Sequence, residues 1–146
     1  MKKVSLASLI LLLCFSVFVT AVSAAAGADS GFQSVKNGHT ARVYTDSTYY
    51  GTGQTTISVT IGKSTSSSFS YMLYFDNGGQ MVEVARGELT SSSKTLQIDK
   101  SKLYSILQPN SQGSYNVRFK IFKHGDFWTW YGDILTNNTF TAVRPY

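Results

Sequence analysis

From Thr40 onward apolar and polar residues alternate with a period of two, the pattern of strands that bury one face and wet the other. Thr40 to Thr45 predicts a short first strand, and Thr55 to Ile61 sets Ile57, Val59 and Ile61 against Thr56, Ser58 and Thr60. Phe69 to Phe75 repeats the alternation with Phe69, Tyr71, Leu73 and Phe75. Asp76-Asn77-Gly78-Gly79 then supplies residues that accept positive φ, so a hairpin should return through Gln80 to Arg86. Lys94 to Ile98 offers Leu96 and Ile98, and Tyr115 to His124 alternates Tyr115, Val117, Phe119 and Ile121 against Asn116, Arg118, Lys120 and Phe122. Phe127 to Leu135 and Thr139 to Val143 complete a set of seven to eight strands. The expected core is Ile57, Val59, Leu73, Phe75, Leu96, Tyr115, Val117, Phe119 and Ile121.

Three segments depart from this pattern. Asp99 to Leu107 places Leu103 and Leu107 four apart behind a candidate N-cap, Asp99, and ahead of Pro109, which predicts one short helical turn. Ala25 to Gly38 is rich in Gly, Ser and Ala without periodicity, and is expected to be a flexible start. Met1 to Ala24 has Lys2 and Lys3, an apolar run from Val4 to Val22 and the small-residue ending Val22-Ser23-Ala24, the make-up of a secretory signal peptide cleaved after Ala24 or Ala26. Export to an extracellular space follows, with no transmembrane segment after cleavage.

The 122 residues left after the leader (146 − 24) suit one domain, residues 39–146, with 25–38 as its tail. The only cysteine, Cys14, lies in the leader behind Leu11-Leu12-Leu13, without the small residue that lipid attachment needs directly before it. The mature chain therefore has neither disulfides nor thiolate metal sites, which fits bacterial export better than a eukaryotic secretory route. Without Lys2 and Lys3 the charge is 11 − 8 = +3, too mild for a dedicated nucleic-acid binder. Nine Tyr, nine Phe and two Trp, with many Ser and Thr and two Pro, favour an all-β chain.

The order strand, helical turn, Gly113-Ser114-Tyr115, alternating strand, hairpin, final strand resembles the C-terminal half of immunoglobulin-like sandwiches over Leu96 to Val143. That resemblance implies an all-β, single immunoglobulin-like antiparallel β-sandwich, with Tyr115 in the position of a tyrosine corner. The family's cysteine pair and early-strand tryptophan are absent. The whole chain also looks like the small secreted β-sandwich proteins of Gram-positive bacteria, a likeness that carries no active site.

Catalytic parts are hard to assemble from what remains. The acids Asp29, Asp46, Asp76, Glu83, Glu88, Asp99, Asp126 and Asp133 fall mostly at turns. Asp126 and Asp133 would stand about 20 Å apart along a strand, beyond the ~5 to 9.5 Å of a glycosidase pair. His39 and His124 are the only histidines, so zinc and thiol-protease constellations lack members. Asp76 to Gly79 lacks the spaced ligands of a calcium loop. The reading is of a protein that is not an enzyme, with no catalytic residue, metal or cofactor. Thr48-Tyr49-Tyr50-Gly51-Thr52-Gly53 resembles the Tyr-Tyr-Gly-Asn-Gly stretch of pediocin-like bacteriocins, with Thr52 in place of the Asn and that family's cysteines missing. Asn137-Asn138-Thr139 is formally a glycosylation acceptor.

Phe127-Trp128-Thr129-Trp130-Tyr131 opposite Arg118 to His124 is the constellation that suits a partner, because aromatics beside cations recognise sugars, anionic polymers and proteins. A two-residue Gly125-Asp126 turn sets Trp130 opposite Ile121 in the core and leaves Arg118, Lys120, Phe122, Thr129 and Tyr131 outside; an odd-length loop turns both tryptophans outward. The candidate partner-binding residues are Arg118, Lys120, Phe122, Trp128 and Tyr131. They imply a secreted, non-catalytic β-sandwich that binds an extracellular protein or a cell-wall, matrix or other cell-surface polymer, with no nucleic-acid specificity. A small antimicrobial or toxin-like protein, and a secreted hydrolase or hydrolase inhibitor, are the alternatives.

Overall fold

The structure, a computed structural model, describes residues 27–146, so the leader expected over residues 1–24 lies outside the described residues. Ten strands and two 3-10 turns follow one another: β1 (Gln33–Ser34), η1 (Lys36–Gly38), β2 (Thr40–Thr45), β3 (Tyr49–Tyr50), β4 (Thr56–Lys63), β5 (Phe69–Asp76), β6 (Met81–Leu89), β7 (Ser93–Asp99), η2 (Lys100–Ser105), β8 (Ser111–Lys123), β9 (Trp130–Leu135) and β10 (Phe140–Arg144). Leaving aside the two-residue β1 and β3, eight strands remain at the positions the alternation marks. They form an immunoglobulin-like sandwich. One sheet runs β1-β2-β4-β7, and the other runs β3-β10-β8-β5-β6 with β9 also paired to β8.

Alternation sets the inner faces. Ile57, Val59 and Ile61 of β4 and Ala41 and Val43 of β2 meet Phe69, Tyr71, Leu73 and Phe75 of β5 and Tyr115, Val117, Phe119 and Ile121 of β8, all buried. Leu96 alone of the expected core is only partly buried. Aromatic edges knit the centre, with Phe140 against Phe75 at 5.0 Å, Tyr50 at 5.6 Å and Tyr115 at 5.7 Å between ring centroids. Such offset and edge-on pairs add to the stabilisation from burial alone.

Turn chemistry follows the sequence closely at two places. In the β5–β6 hairpin the Asp76 carboxylate accepts from the Gly78 N–H at 2.8 Å, the Asn77 side chain accepts from Gln80 N–H at 2.7 Å, and Gly78 takes φ 85°. At η2 the Asp99 carboxylate caps the Ser101 N–H at 2.8 Å, as the sequence predicts. The tyrosine corner is different. Among the described residues the Tyr115 hydroxyl makes no hydrogen bond to the preceding corner; Arg144 does that work, donating to the carbonyls of Tyr104 at 2.9 Å and Leu107 at 2.7 Å with its guanidinium over the Tyr104 ring. A long cation on β10 reaches carbonyls in and just after η2, whereas the Tyr115 ring stays in the core.

β8 organises the larger sheet. β5 lies along one side of it, while β10 pairs with Ser111–Tyr115 and β9 with Arg118–Phe122 along the other. Both run antiparallel to β8, so β9 and β10 form one line interrupted at residues 136–139. Asn116 spans the gap through its amide, which donates to the Thr136 and Asn138 carbonyls at 2.9 and 3.2 Å, and the Thr136 hydroxyl accepts from Val117 N–H.

That interruption also holds residues 28–30, part of the segment that the sequence reads as a flexible tail. Asn137 donates to the Ser30 carbonyl, Asn138 accepts from the Asp29 N–H, and Ala28 and Ser30 pair with Thr45 and Val43 of β2. Ala28 is fully buried and Arg42 grips Asp29. Gly27 onward therefore closes an edge of the sandwich, held by side chains rather than by any apolar period of its own.

Val117→Ala and Phe119→Ala should each destabilise the fold by about 2–5 kcal/mol, the usual range for core truncation. Asn116→Ala should cost about 1–3 kcal/mol, because it strips partners from the interrupted edge. Exposed Lys94→Ala should be near neutral in the same denaturant titrations.

Candidate functional site

The outer face of the larger sheet carries the side chains that alternate with the core. Cross-strand rows read Trp130–Phe122–Ser70–Glu88, then Asp133–Lys120–Met72–Arg86, then Leu135–Arg118–Tyr74–Glu83. Arg118 lies at the centre of this face. Its guanidinium donates to Asp76 at 2.8 and 3.0 Å and to Asp133 at 3.1 Å, tying β5, β8 and β9 together. Burial pushes the Asp76 carboxyl up, yet the Gly78 N–H and Arg118 outweigh it and leave the acid below its ordinary range. Arg86 grips Glu83 in the same way and lowers that acid. Lys120 rests over the Tyr74 ring at 5.3 Å. The face is thus close to charge-balanced, and Arg118, expected to steer an anionic partner, spends its charge inside the sheet.

The register of β8 with β9 departs from the two-residue turn. Lys123 N–H donates to the Thr129 carbonyl at 2.8 Å, so the loop is longer. Asp126 decides this: its carboxylate accepts from Trp128 N–H at 3.0 Å, Thr129 N–H at 2.9 Å and the Thr129 hydroxyl at 3.0 Å. Those bonds hold its acid below the ordinary value, the Thr129 N–H foremost. With the loop so built, Phe122 pairs with Trp130 and Ile121 with Gly132, leaving Tyr131 as a bulged residue between them. Trp130 accordingly lies outside, 49% exposed, rather than in the core against Ile121, and Tyr131 turns inward to stack on His39 at 5.3 Å. Gly132 lets β9 approach Val35, since a Cβ there would stand 2.8 Å from the valine side chain.

The five expected residues therefore separate. Arg118, Lys120 and Phe122 share the outer face, but Phe122 is 7% exposed beneath Phe127, whose ring lies 6.0 Å away. Trp128 stands at the loop tip, 92% exposed, and Tyr131 belongs to the inner side. Trp130, which the two-residue register put in the core and the odd-length loop put outside, donates its indole N–H to Asp133 at 2.8 Å, and Lys36, which sequence reasoning missed, holds its ammonium 5.1 Å from the Trp130 ring. Sequence reasoning also missed Asp126 as the loop's organiser, although an Asp placed two and three residues before amides it can bind is a local turn signal.

Other groups singled out from sequence serve the fold. Tyr50 of the Tyr-Tyr-Gly stretch is buried and its hydroxyl binds Asp46, which with burial raises its pKa. The Asn137 amide is committed to the Ser30 carbonyl. Lys63 is buried at 6%, its ammonium donating to the Ser66 and Ser67 carbonyls. His39, at 6%, lies between Tyr131 and Phe69 with Nδ1 unpartnered among the described residues. Burial first, and Lys63 second, lower its pKa. Among the described residues no cluster of three or more His, Cys, Asp or Glu could hold a metal ion.

A family model described as the YqgA MG2 macroglobulin domain matches residues 24–143. Neither the comparison with curated proteins nor that with solved structures found a match.

Because the folded state favours neutral His39, its contribution to stability is complete above the ordinary value of 6.5 and is lost as pH falls below it. The depressed carboxyls of Asp29, Asp76 and Glu83 lose theirs lower, as pH falls from about their ordinary range near 4. Chemical denaturation across pH should therefore show two successive declines, and His39→Phe should remove the first while leaving the second.

Proposed function

The chain belongs to the YqgA MG2 macroglobulin domain family, and from that premise we propose that it is a secreted, non-catalytic sandwich that binds an extracellular protein or cell-surface polymer through its β8–β9 hairpin. The observation that carries this is Trp128. A large indole 92% exposed on a loop whose shape is set by three hydrogen bonds to Asp126 is presented rather than merely tolerated. Trp130 and Lys120 extend the contact surface beside it. A loop held in one conformation also loses little freedom on binding, which favours affinity.

Export is supported by the composition of residues 1–24, nearly all of which precede the family match over residues 24–143. The non-catalytic reading is supported by how the titratable groups are used. Asp76 and Asp133 are committed to Arg118, Asp126 to its loop, and His39 to an aromatic stack.

The test is capture on cell surfaces or isolated cell walls. Lys120→Glu and Trp128→Ala should each weaken retention at least about tenfold, or about 1.4 kcal/mol, while Lys94→Glu on the opposite sheet should not. Lys63, at the end of β4, makes a poor control because it is buried. Equal loss from all three substitutions in folded proteins would remove the hairpin as the site.

A further inference from the structure

We propose that Asn37-Gly38 is a site of spontaneous covalent modification, where Asn37 becomes isoaspartate or aspartate, and that the fold shields the second Asn-Gly pair, Asn77-Gly78, from the same reaction. The sequence holds these two pairs and no others. Glycine favours the reaction because no side chain hinders its amide nitrogen as it approaches the preceding carboxamide. Both pairs share that advantage, so what separates them is how each is held.

The chemistry needs only water and base. The Gly38 nitrogen gives up its proton and attacks Cγ of Asn37; the new C–N bond closes a succinimide ring as the Cγ–Nδ2 bond breaks, and the amide group takes up a proton and leaves as ammonia. Water then opens the ring. Addition at the former side-chain carbonyl leaves aspartate, whereas addition at the backbone carbonyl leaves isoaspartate, with the main chain rerouted through the side-chain carbons.

The two sites differ in every group that reacts. At Asn77 the side-chain oxygen accepts from Gly79 N–H at 3.0 Å and Gln80 N–H at 2.7 Å, while the Gly78 N–H that would attack donates to Asp76 at 2.8 Å. Carboxamide and nitrogen are both tied down. Asn37 is exposed, and among the described residues its carboxamide makes no hydrogen bond. It is held at φ 60°, a left-handed conformation that a side chain disfavours, inside a turn of three residues. Little therefore opposes the rotation that brings Cγ to the Gly38 nitrogen.

Position gives the modification a consequence. The turn η1 joins two residues that hold β9: Val35, which packs against Gly132, and His39, which stacks on Tyr131 at 5.3 Å. Val35 N–H donates to the His39 carbonyl at 2.9 Å across the turn. An isoaspartate adds a methylene to the main chain between them and puts a carboxylate on the residue after Lys36, whose ammonium lies 5.1 Å from the Trp130 ring. Ageing at this residue should thus loosen η1 from β9.

The purified full chain is held at mildly alkaline pH and sampled over time by pepsin digestion in acid, where the reaction stops, and mass spectrometry of the peptides that hold Asn37 and Asn77. The Asn37 peptide should gain the mass of an amide turned to an acid about tenfold faster than the Asn77 peptide, as the absence of a few hydrogen bonds would give. Electron-transfer fragments should identify isoaspartate. In urea the two rates should converge, because unfolding releases Asn77. Asn37→Gly keeps the left-handed turn without a carboxamide, and should hold its melting temperature through ageing while the parent chain loses part of its own. Equal rates in the folded chain, or a faster Asn77, overturn the proposal; so does a gap that persists unchanged in urea, since it would then belong to the local sequence. A parent chain that carries isoaspartate at position 37 yet melts like the unaged protein overturns the consequence for β9.

Discussion

The structure depends on how β8 is shared. One thirteen-residue strand pairs with β5 along one side and with both β9 and β10 along the other. Two strands in one line cannot join without a break in the ladder, and a break frees backbone groups that cannot remain buried and unpaired. Asn116, Thr136 and the backbone of residues 136–139 satisfy them, and the same residues present Asn137 and Asn138 to the start of the chain. The interruption is therefore also the clasp that closes the sandwich edge.

The charged groups of the outer face follow a similar economy. Arg118 is valuable here as a tie among three strands, because one planar guanidinium can satisfy carboxylates from both neighbours. Had Arg118 been free, the face would present a strong positive centre. With Asp76 and Asp133 engaged, the middle of the sheet presents no free positive centre, while on the loop Asp126 holds an exposed indole and Lys123 stands in solvent. Polar groups inside the sandwich are placed with the same restraint. Lys100, 2% exposed, donates to the Gly51 carbonyl and so anchors the β3–β4 loop, while burial lowers its pKa.

Membership in the macroglobulin-domain family agrees with the sandwich that the strands form. The β8–β9 loop is built on the longest strand, so its position is set by the core rather than by the loop itself. A loop on such a base keeps its conformation without disulfides, which residues 27–146 have no cysteine to form.

Sequence alone determined the strands, most of the core, the Asp76 to Gly79 hairpin and the Asp99 cap, because each rests on neighbours a few residues apart. Side-chain alternation is a local property of a strand, and a capping carboxylate reaches only two or three residues. The β8–β9 register was not legible from alternation. Both registers satisfy a period of two, and the choice turned on how many amides the Asp126 side chain gathers. The remaining surprises are long-range. Arg118 meets Asp76 across 42 positions, Arg144 caps Tyr104 across 40, and Asn138 meets Asp29 across 109. No periodicity records such pairings, since only the closed sandwich brings those groups within reach; tertiary structure therefore decided which charges are paired, where residues 28–30 are held and that both tryptophans face solvent.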